Sequence, residues 1–197
     1  MNKLLSIGST GSLHTHPTNK KEKPSIEYIQ YEAGQIRKDN LLFSEIIFVS
    51  EGIFLLSYDH LLDYKLKEGS ILLLPPGSHF TIRTESRASA ILFRFKQGIR
   101  FCEGYSVNTM QSKRDLRGNE LSRLELKPAI KDFIGFLKSN MQEGLRDEDY
   151  LSLKAEELLY LFKSYYTTEE LRDFVYPLLS NNARFHQFVL TYYRKVK

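Results

Sequence analysis

The sequence predicts an α+β chain in which a β-sandwich or barrel comes first and a group of helices follows. Three observations carry this. From Ser25 to about Phe95, short runs rich in Ile, Leu, Phe and Tyr are punctuated by Gly, Pro, Asp and Asn roughly every ten residues, the spacing of all-β sandwiches and barrels. After Gly118 the apolar residues recur at helical spacing instead. No internal repeat is visible, so strands followed by helices make one composite fold and not an array. The expected bounds are a flexible leader over 1–24, a β-domain over 25–112 and a helical segment over 119–197.

The leader opens "MNKLLSIGSTGS", with too short an apolar stretch after Lys3 for a signal-peptide core, and no segment of the chain reaches membrane-spanning length. The expectation is a protein of the cytoplasm, away from membranes. The single Cys102 has no partner for an internal disulfide, so a reducing compartment suffices and the residue reads as a small apolar filler. "HTH" at 14–16 and the basic run "NKKEKP" at 19–24 fall in this Ser, Thr and Gly-rich stretch and read as solvated leader. A net charge of +4 is scattered along the chain, which permits contact with nucleic acid without directing it.

In the β-domain, "EIIFV" and "SILLL" are continuous apolar runs, as expected of strands covered on both faces. "DYKLK" alternates, placing Leu62, Tyr64 and Leu66 on one face and Asp63, Lys65 and Lys67 on the other. "PPG" at 75–77 marks a turn, because Pro-Pro stops strand pairing and Gly77 accepts the positive φ of a tight reversal.

In the helical segment, Pro128 opens a helix that carries Ile130, Phe133, Ile134, Leu137 and Met141 on one stripe until Gly144. A second helix follows Asp147, with Leu151, Ala155, Leu158, Leu159 and Phe162 on its stripe. Thr167 and Glu170 form a capping box for a short helix expected to end before Pro177. The last helix is expected from Asn182, aligning Phe185, Phe188, Val189, Tyr192 and Val196. That stripe wants a packing partner, not a DNA groove.

Gly69, five residues, Pro75, one residue, Gly77 and a following histidine resemble the second motif of the cupin superfamily. His79 stands one position earlier than the family's histidine, where Phe80 sits, and in a strand such a shift can turn the side chain to the other face. Glu45, six residues and Gly52 match the end of the first motif, but counting back to its two histidines lands on Asp39 and Leu41. A metal site needs three or four convergent ligands, so the expectation is a barrel with neither metal nor other cofactor. The resemblance implies a double-stranded β-helix, or jelly-roll barrel.

"IIFVSEGIFLLSYDHLLDYKLKEGSILLLPPGSHF" together with "LKAEELLYLFKSYYTTEELRDFVYPLLSNNARFHQFVLTYYRKVK" resembles the sensory half of AraC-type (arabinose-operon regulator family) transcription factors, in the form common in Bacteroidetes. This resemblance implies an effector-binding cupin barrel, a helical dimerisation and linker segment, and a DNA-binding domain of two helix-turn-helix units expected to lie outside this chain. Whether the chain is a truncated piece or a stand-alone sensor stays open. It also implies a homodimer, a small-molecule effector with carbohydrates among the candidates, and no catalysis. No nucleophile–base motif or Gly-rich phosphate loop contradicts that. The alternatives are a small cupin metalloenzyme, an isomerase or dioxygenase, and a stand-alone sugar-binding cupin.

Strand parity supplies a candidate ligand site. Glu45 shares a face with Phe43, Ile47 and Val49, and an inward carboxylate there needs a partner or a polar ligand. His79, Arg83 and Arg94 are the candidate partners, and Tyr58 and Tyr64 add lining. The rival reading is a buried ion pair with no ligand. For the dimer, Ile130, Phe133, Ile134, Leu137, Met141, Leu158, Leu159 and Phe162 are the expected interface, because a barrel of this size covers only part of such a stripe.

Overall fold

A computed structural model describes residues 23–58, 61–96, 99 and 121–178. Eight strands come first: β1 Ser25–Tyr31, β2 Ile36–Asn40, β3 Ser44–Glu51, β4 Ile53–Tyr58, β5 Leu61–Lys67, β6 Ile71–Leu74, β7 His79–Thr84 and β8 Ala88–Phe95. A two-residue strand, β9 Arg123–Leu124, leads to helices α1 Pro128–Gln142 and α2 Glu148–Tyr165, and a third helix, α3, runs over 168–178. The leader through residue 22, Cys102 and the helix expected from Asn182 lie outside the described residues.

All pairings are antiparallel, and they follow one rule. β4 pairs with β5, β3 with β6, β2 with β7 and β1 with β8, as in a single long hairpin. Additional β3–β8 and β4–β7 pairings fold that hairpin over itself into two sheets, β1-β8-β3-β6-β9 and β2-β7-β4-β5. This is the order of a two-sheet jelly roll.

Both continuous apolar runs lie in the first sheet and are covered on both faces. Ile47, Val49, Leu72 and Leu74 point to the second sheet and pack there with Phe54, Leu56, Leu66, Phe80 and Ile82. Ile46, Phe48, Ile71 and Leu73 point away from it, into a core shared with the helices. Three layers result: helices, first sheet, second sheet. Phe48 joins them, its ring centroid 5.4 Å from Phe93 and 6.1 Å from Phe162 of α2, which in turn stands 5.8 Å from Phe174 of α3.

The helices begin where their signals stand. Pro128 occupies the first turn of α1, the Asp147 carboxylate accepts from Tyr150 N at 2.7 Å to cap α2, and Thr167 and Glu170 exchange capping-box bonds at 2.7 and 3.2 Å. Three expectations change. Leu62 is exposed, not inward with Tyr64 and Leu66, because Asp63 takes a φ of 49° opposite a register shift in β4 and resets the alternation. Pro177 does not stop α3, which continues through residue 178. The stripe expected to meet a second copy is used by the chain itself: Ile130, Phe133, Ile134, Leu137, Met141, Leu158 and Phe162 are buried against the first sheet and Leu159 is partly buried there. The physical reason is the outer face of that sheet, whose apolar side chains need a cover.

Two turn glycines separate strain from crowding. Gly52 (φ 75°) joins β3 to β4 against the start of β8, where a Cβ would stand 2.5 Å from Arg87 O and 2.9 Å from Ala88 Cα. Gly77 (φ 81°) turns in open space. Gly77→Ala should therefore cost about 1 kcal/mol, for backbone conformation alone, and Gly52→Ala about 3 kcal/mol once the clash is added, measured as shifts in urea midpoints at unchanged m.

Candidate functional site

Antiparallel order brings the ends of β2, β4, β6 and β8 and the starts of β1, β3, β5 and β7 to one end of the sandwich. The inward phase of these strands turns polar there. On β3 the series Val49, Ile47 ends in Glu45; on β8 the series Ala90, Leu92 ends in Arg94, which the register sets directly opposite Glu45. From β2 come Arg37 and Asp39, facing Ile82 and Phe80 of β7, and from β1 comes Glu27 opposite Leu92.

These five side chains form a line of alternating charge. Glu45 Oε2 accepts from Arg94 Nε at 2.7 Å, and Arg37 Nη1 and Nη2 reach Glu45 Oε1 and Oε2 at 3.2 and 3.3 Å. Outward, Arg94 Nη1 pairs with Glu27 at 2.6 Å and Arg37 Nε with Asp39 at 3.2 Å. Side-chain exposure rises from 0% at Glu45 through 14% at Arg37 and 30% at Arg94 to 38% at Asp39 and 50% at Glu27. Glu45 is thus the floor of a network whose rim meets solvent. The Arg37 guanidinium also lies 5.1 Å from the centre of the Phe80 ring, a cation–π contact.

The network explains how a carboxylate tolerates zero exposure, since both its oxygens are hydrogen-bonded by guanidinium groups. Burial works to lower Arg37 and Arg94, but the charge of Glu45 and bonds to the neighbouring carboxylates outweigh it and raise both. The hydrogen bond from Arg37 holds the Asp39 carboxyl below its ordinary value, with burial opposing. Burial pushes Tyr31, beside the same charges, upward.

Of the residues expected at this site, Glu45 and Arg94 meet. Tyr58 and Tyr64 are partly buried on the inner face, with Tyr64 at the β5 edge, its ring centre 5.2 Å from the Arg123 guanidinium. Phe43 is half-buried in the turn before β3, its ring centre 5.7 Å from Lys96 Nζ. His79 and Arg83 do not join them: they share the outward phase of β7, where His79 is exposed and Arg83 makes a two-pronged pair with Asp63 at 3.0 and 2.9 Å. The inward phase of that strand belongs to Phe80 and Ile82. Arg37 was missed as a partner, because "IRKDN" carries no apolar phase that marks which side of β2 faces inward.

The residues present do not suit a metal ion. Both Glu45 oxygens and Asp39 are taken by arginines, Leu41 stands where a histidine would coordinate, and His79 faces the other way. Among the described residues no three His, Cys, Asp or Glu side chains converge, and two guanidinium charges repel a cation. What the arrangement offers is a set of charged donors and acceptors that reach solvent at the rim, over the buried ring of Phe80.

No protein-family model matches the chain. No curated protein matches it either. Among solved structures, it resembles a cupin superfamily protein from Desulfitobacterium hafniense (12% identity, 38% of this chain and 68% of that one, TM-score 0.36). It also resembles an RmlC-like cupin with a double-stranded β-helix fold from Methanocaldococcus jannaschii (15%, 44% and 92%, TM-score 0.35). A third is a variant of salicylate 1,2-dioxygenase from Pseudoaminobacter salicylatoxidans (19%, 36% and 21%, TM-score 0.35). At these TM-scores the likeness carries no function over to this chain, whose two-sheet order stands on its own strand pairings.

Glu45→Ala would leave two arginines facing an empty place. The cost should be about 2–4 kcal/mol by chemical denaturation, less than for a fully buried pair because both arginines reach solvent and keep their outer carboxylates. Asp39 sets a pH dependence. Its depressed pKa means that its contribution is complete above the ordinary value of 3.8 and is lost as pH falls through the lower folded value. Asp39→Asn should therefore flatten the acid limb of the stability curve below about pH 4 and leave its shape at neutral pH unchanged, as read from urea midpoints at each pH.

Proposed function

We propose that the chain is the sensing and dimerising part of an AraC-type transcriptional regulator that works in the cytoplasm. A small polar effector, in our reading a carbohydrate, binds without metal at the charged end of the sandwich. The effect passes through the helices to a DNA-binding domain outside this chain. The observation that carries the effector site is the solvent-open rim of the Glu27, Arg94, Glu45, Arg37, Asp39 network. Hydroxyl groups can be held by charged donors and acceptors together. The regulator identity rests on the residue resemblance of strands and helices. An effector with unequal affinity for two arrangements of barrel and helices would shift their populations, and in this reading the chain has no catalytic step.

For the homodimer, the stripe of α1 and α2 is already packed within the chain, and our reading turns to the side chains these helices leave exposed. Phe136, Leu153, Tyr160 and Tyr165 are large, exposed and on the same two helices, with Leu153 and Tyr160 seven residues apart on one face of α2. We assign the contact to this outer surface. Among the described residues no helix is long and apolar enough to cross a membrane.

The test is a thermal-shift and calorimetric survey of monosaccharides and sugar acids, run beside elemental analysis and sedimentation. One of these compounds at a hundredfold excess over its Kd should raise Tm by about 5–10 °C, without effect on Arg94→Gln. The chain should sediment as a dimer that Leu153→Glu with Tyr160→Glu splits. One transition metal per chain, lost in Glu45→Gln together with turnover of a substrate, would replace this reading with the metalloenzyme.

A further inference from the structure

Residues 122–127 touch four separate parts of the molecule. Their strand, β9, extends the first sheet at the free edge of β6, pairing Leu124 with Ile71 and Arg123 with Leu72, and Leu73 N donates to Ser122 O at 3.3 Å. Arg123 reaches the second sheet: its guanidinium lies 5.2 Å from the centre of the Tyr64 ring and donates to the Tyr64 hydroxyl. Tyr64 belongs to β5, the edge strand of that sheet. One short strand therefore ties the edges of both sheets together.

In the other direction the same segment holds the helices. The Tyr166 hydroxyl, at the C-terminal cap of α2, donates to Glu125 O at 2.7 Å, and burial pushes that phenol up to about 12. Ser122 Oγ donates to Asp173 O at 3.1 Å and to Phe174 O, both in α3. The buried Ser122 hydroxyl thus anchors this segment to the main chain of α3, which continues through residue 178.

Ser122 and Arg123 are adjacent, so their side chains leave an extended strand in opposite directions. One grips the helix and the other grips the second sheet, while the backbone between them is held by β6. We propose that β9 is a coupling strap, which passes the relative placement of the two sheets to α3, the helix that leads toward the C-terminal residues. A displacement of the β5 edge against β6 moves Arg123, and Ser122 carries the displacement to α3. This deepens the sensor reading, on which the purpose of the strap rests. The coupling itself is a property of the free chain, so its test uses neither effector nor DNA.

Hydrogen exchange by mass spectrometry on the full chain tests it, comparing the wild type with Tyr64→Phe, Ser122→Ala and the double variant. Tyr64→Phe removes one hydroxyl from the second sheet and nothing from α3. Each single variant should speed amide exchange in residues 171–178 roughly 3–10-fold, the range set by one lost hydrogen bond. The double should be no faster than Ser122→Ala, because the two contacts act in series, and α1 should stay within about twofold of wild type. Acceleration by Ser122→Ala with none by Tyr64→Phe would reduce Ser122 to a local cap and overturn the coupling. No acceleration in either variant, or an equal one in every helix, would overturn it as well.

Discussion

The structure depends on one constraint: the first sheet is apolar on both faces. In β3, β6 and β8, residues of both phases are buried, with Ile46, Phe48, Leu73 and Phe93 on one side and Ile47, Val49, Leu72 and Leu92 on the other. A second sheet can cover only one of those faces. The helices cover the other, and their stripes are matched to it through the Phe93, Phe48, Phe162 and Phe174 rings. Burial of both faces is the main favourable term, and it makes the helical segment part of the same core as the sandwich. Side chains that a sequence pattern offers to a second molecule are thereby claimed within the chain, and on α1 and α2 the large apolar side chains left exposed, Phe136, Leu153, Tyr160 and Tyr165, lie on the outer side.

The second sheet is built differently. Its inner phase is apolar while its outer phase carries Lys38, His79, Thr81, Arg83 and Lys65 toward solvent. Where the inner phase reaches the end of the sandwich, the dry core gives way to the five-residue charge network. The order of its members follows from desolvation. The one carboxylate without solvent, Glu45, has two guanidinium partners, whereas Asp39 and Glu27 at the rim have one each among the contacts described. Buried charge is thus paired most fully where water is scarcest.

Polar contacts also join these layers, among them Lys138 with Glu51 and Gln142 with Tyr28. Beyond side-chain packing, the strap at β9 gives the two sheets and two of the helices a shared set of hydrogen bonds, through Arg123, Ser122 and the carbonyl of Glu125.

Several features were legible in the sequence because they are local. The apolar runs of β3 and β6, the Pro128 start, the Asp147 cap, the Thr167–Glu170 box and the inward parity of Glu45 follow from periodicity and backbone chemistry that a few neighbouring residues decide. The outward turn of His79 and Arg83 was also written locally, in their alternation with Phe80 and Ile82, although the motif spacing drew attention to the histidine. Other features were decided by tertiary structure alone. "IRKDN" has no apolar phase to reveal which side of β2 faces in, so Arg37 became the partner of Glu45 only through its register with Ile82. Leu62 turned outward because Asp63 and the β4 register shift reset the strand's phase. A helical stripe states that an apolar face needs covering, but not by what, since hydrophobic burial is non-directional; the uncovered face of the first sheet, assembled from strands distant in sequence, settled that choice.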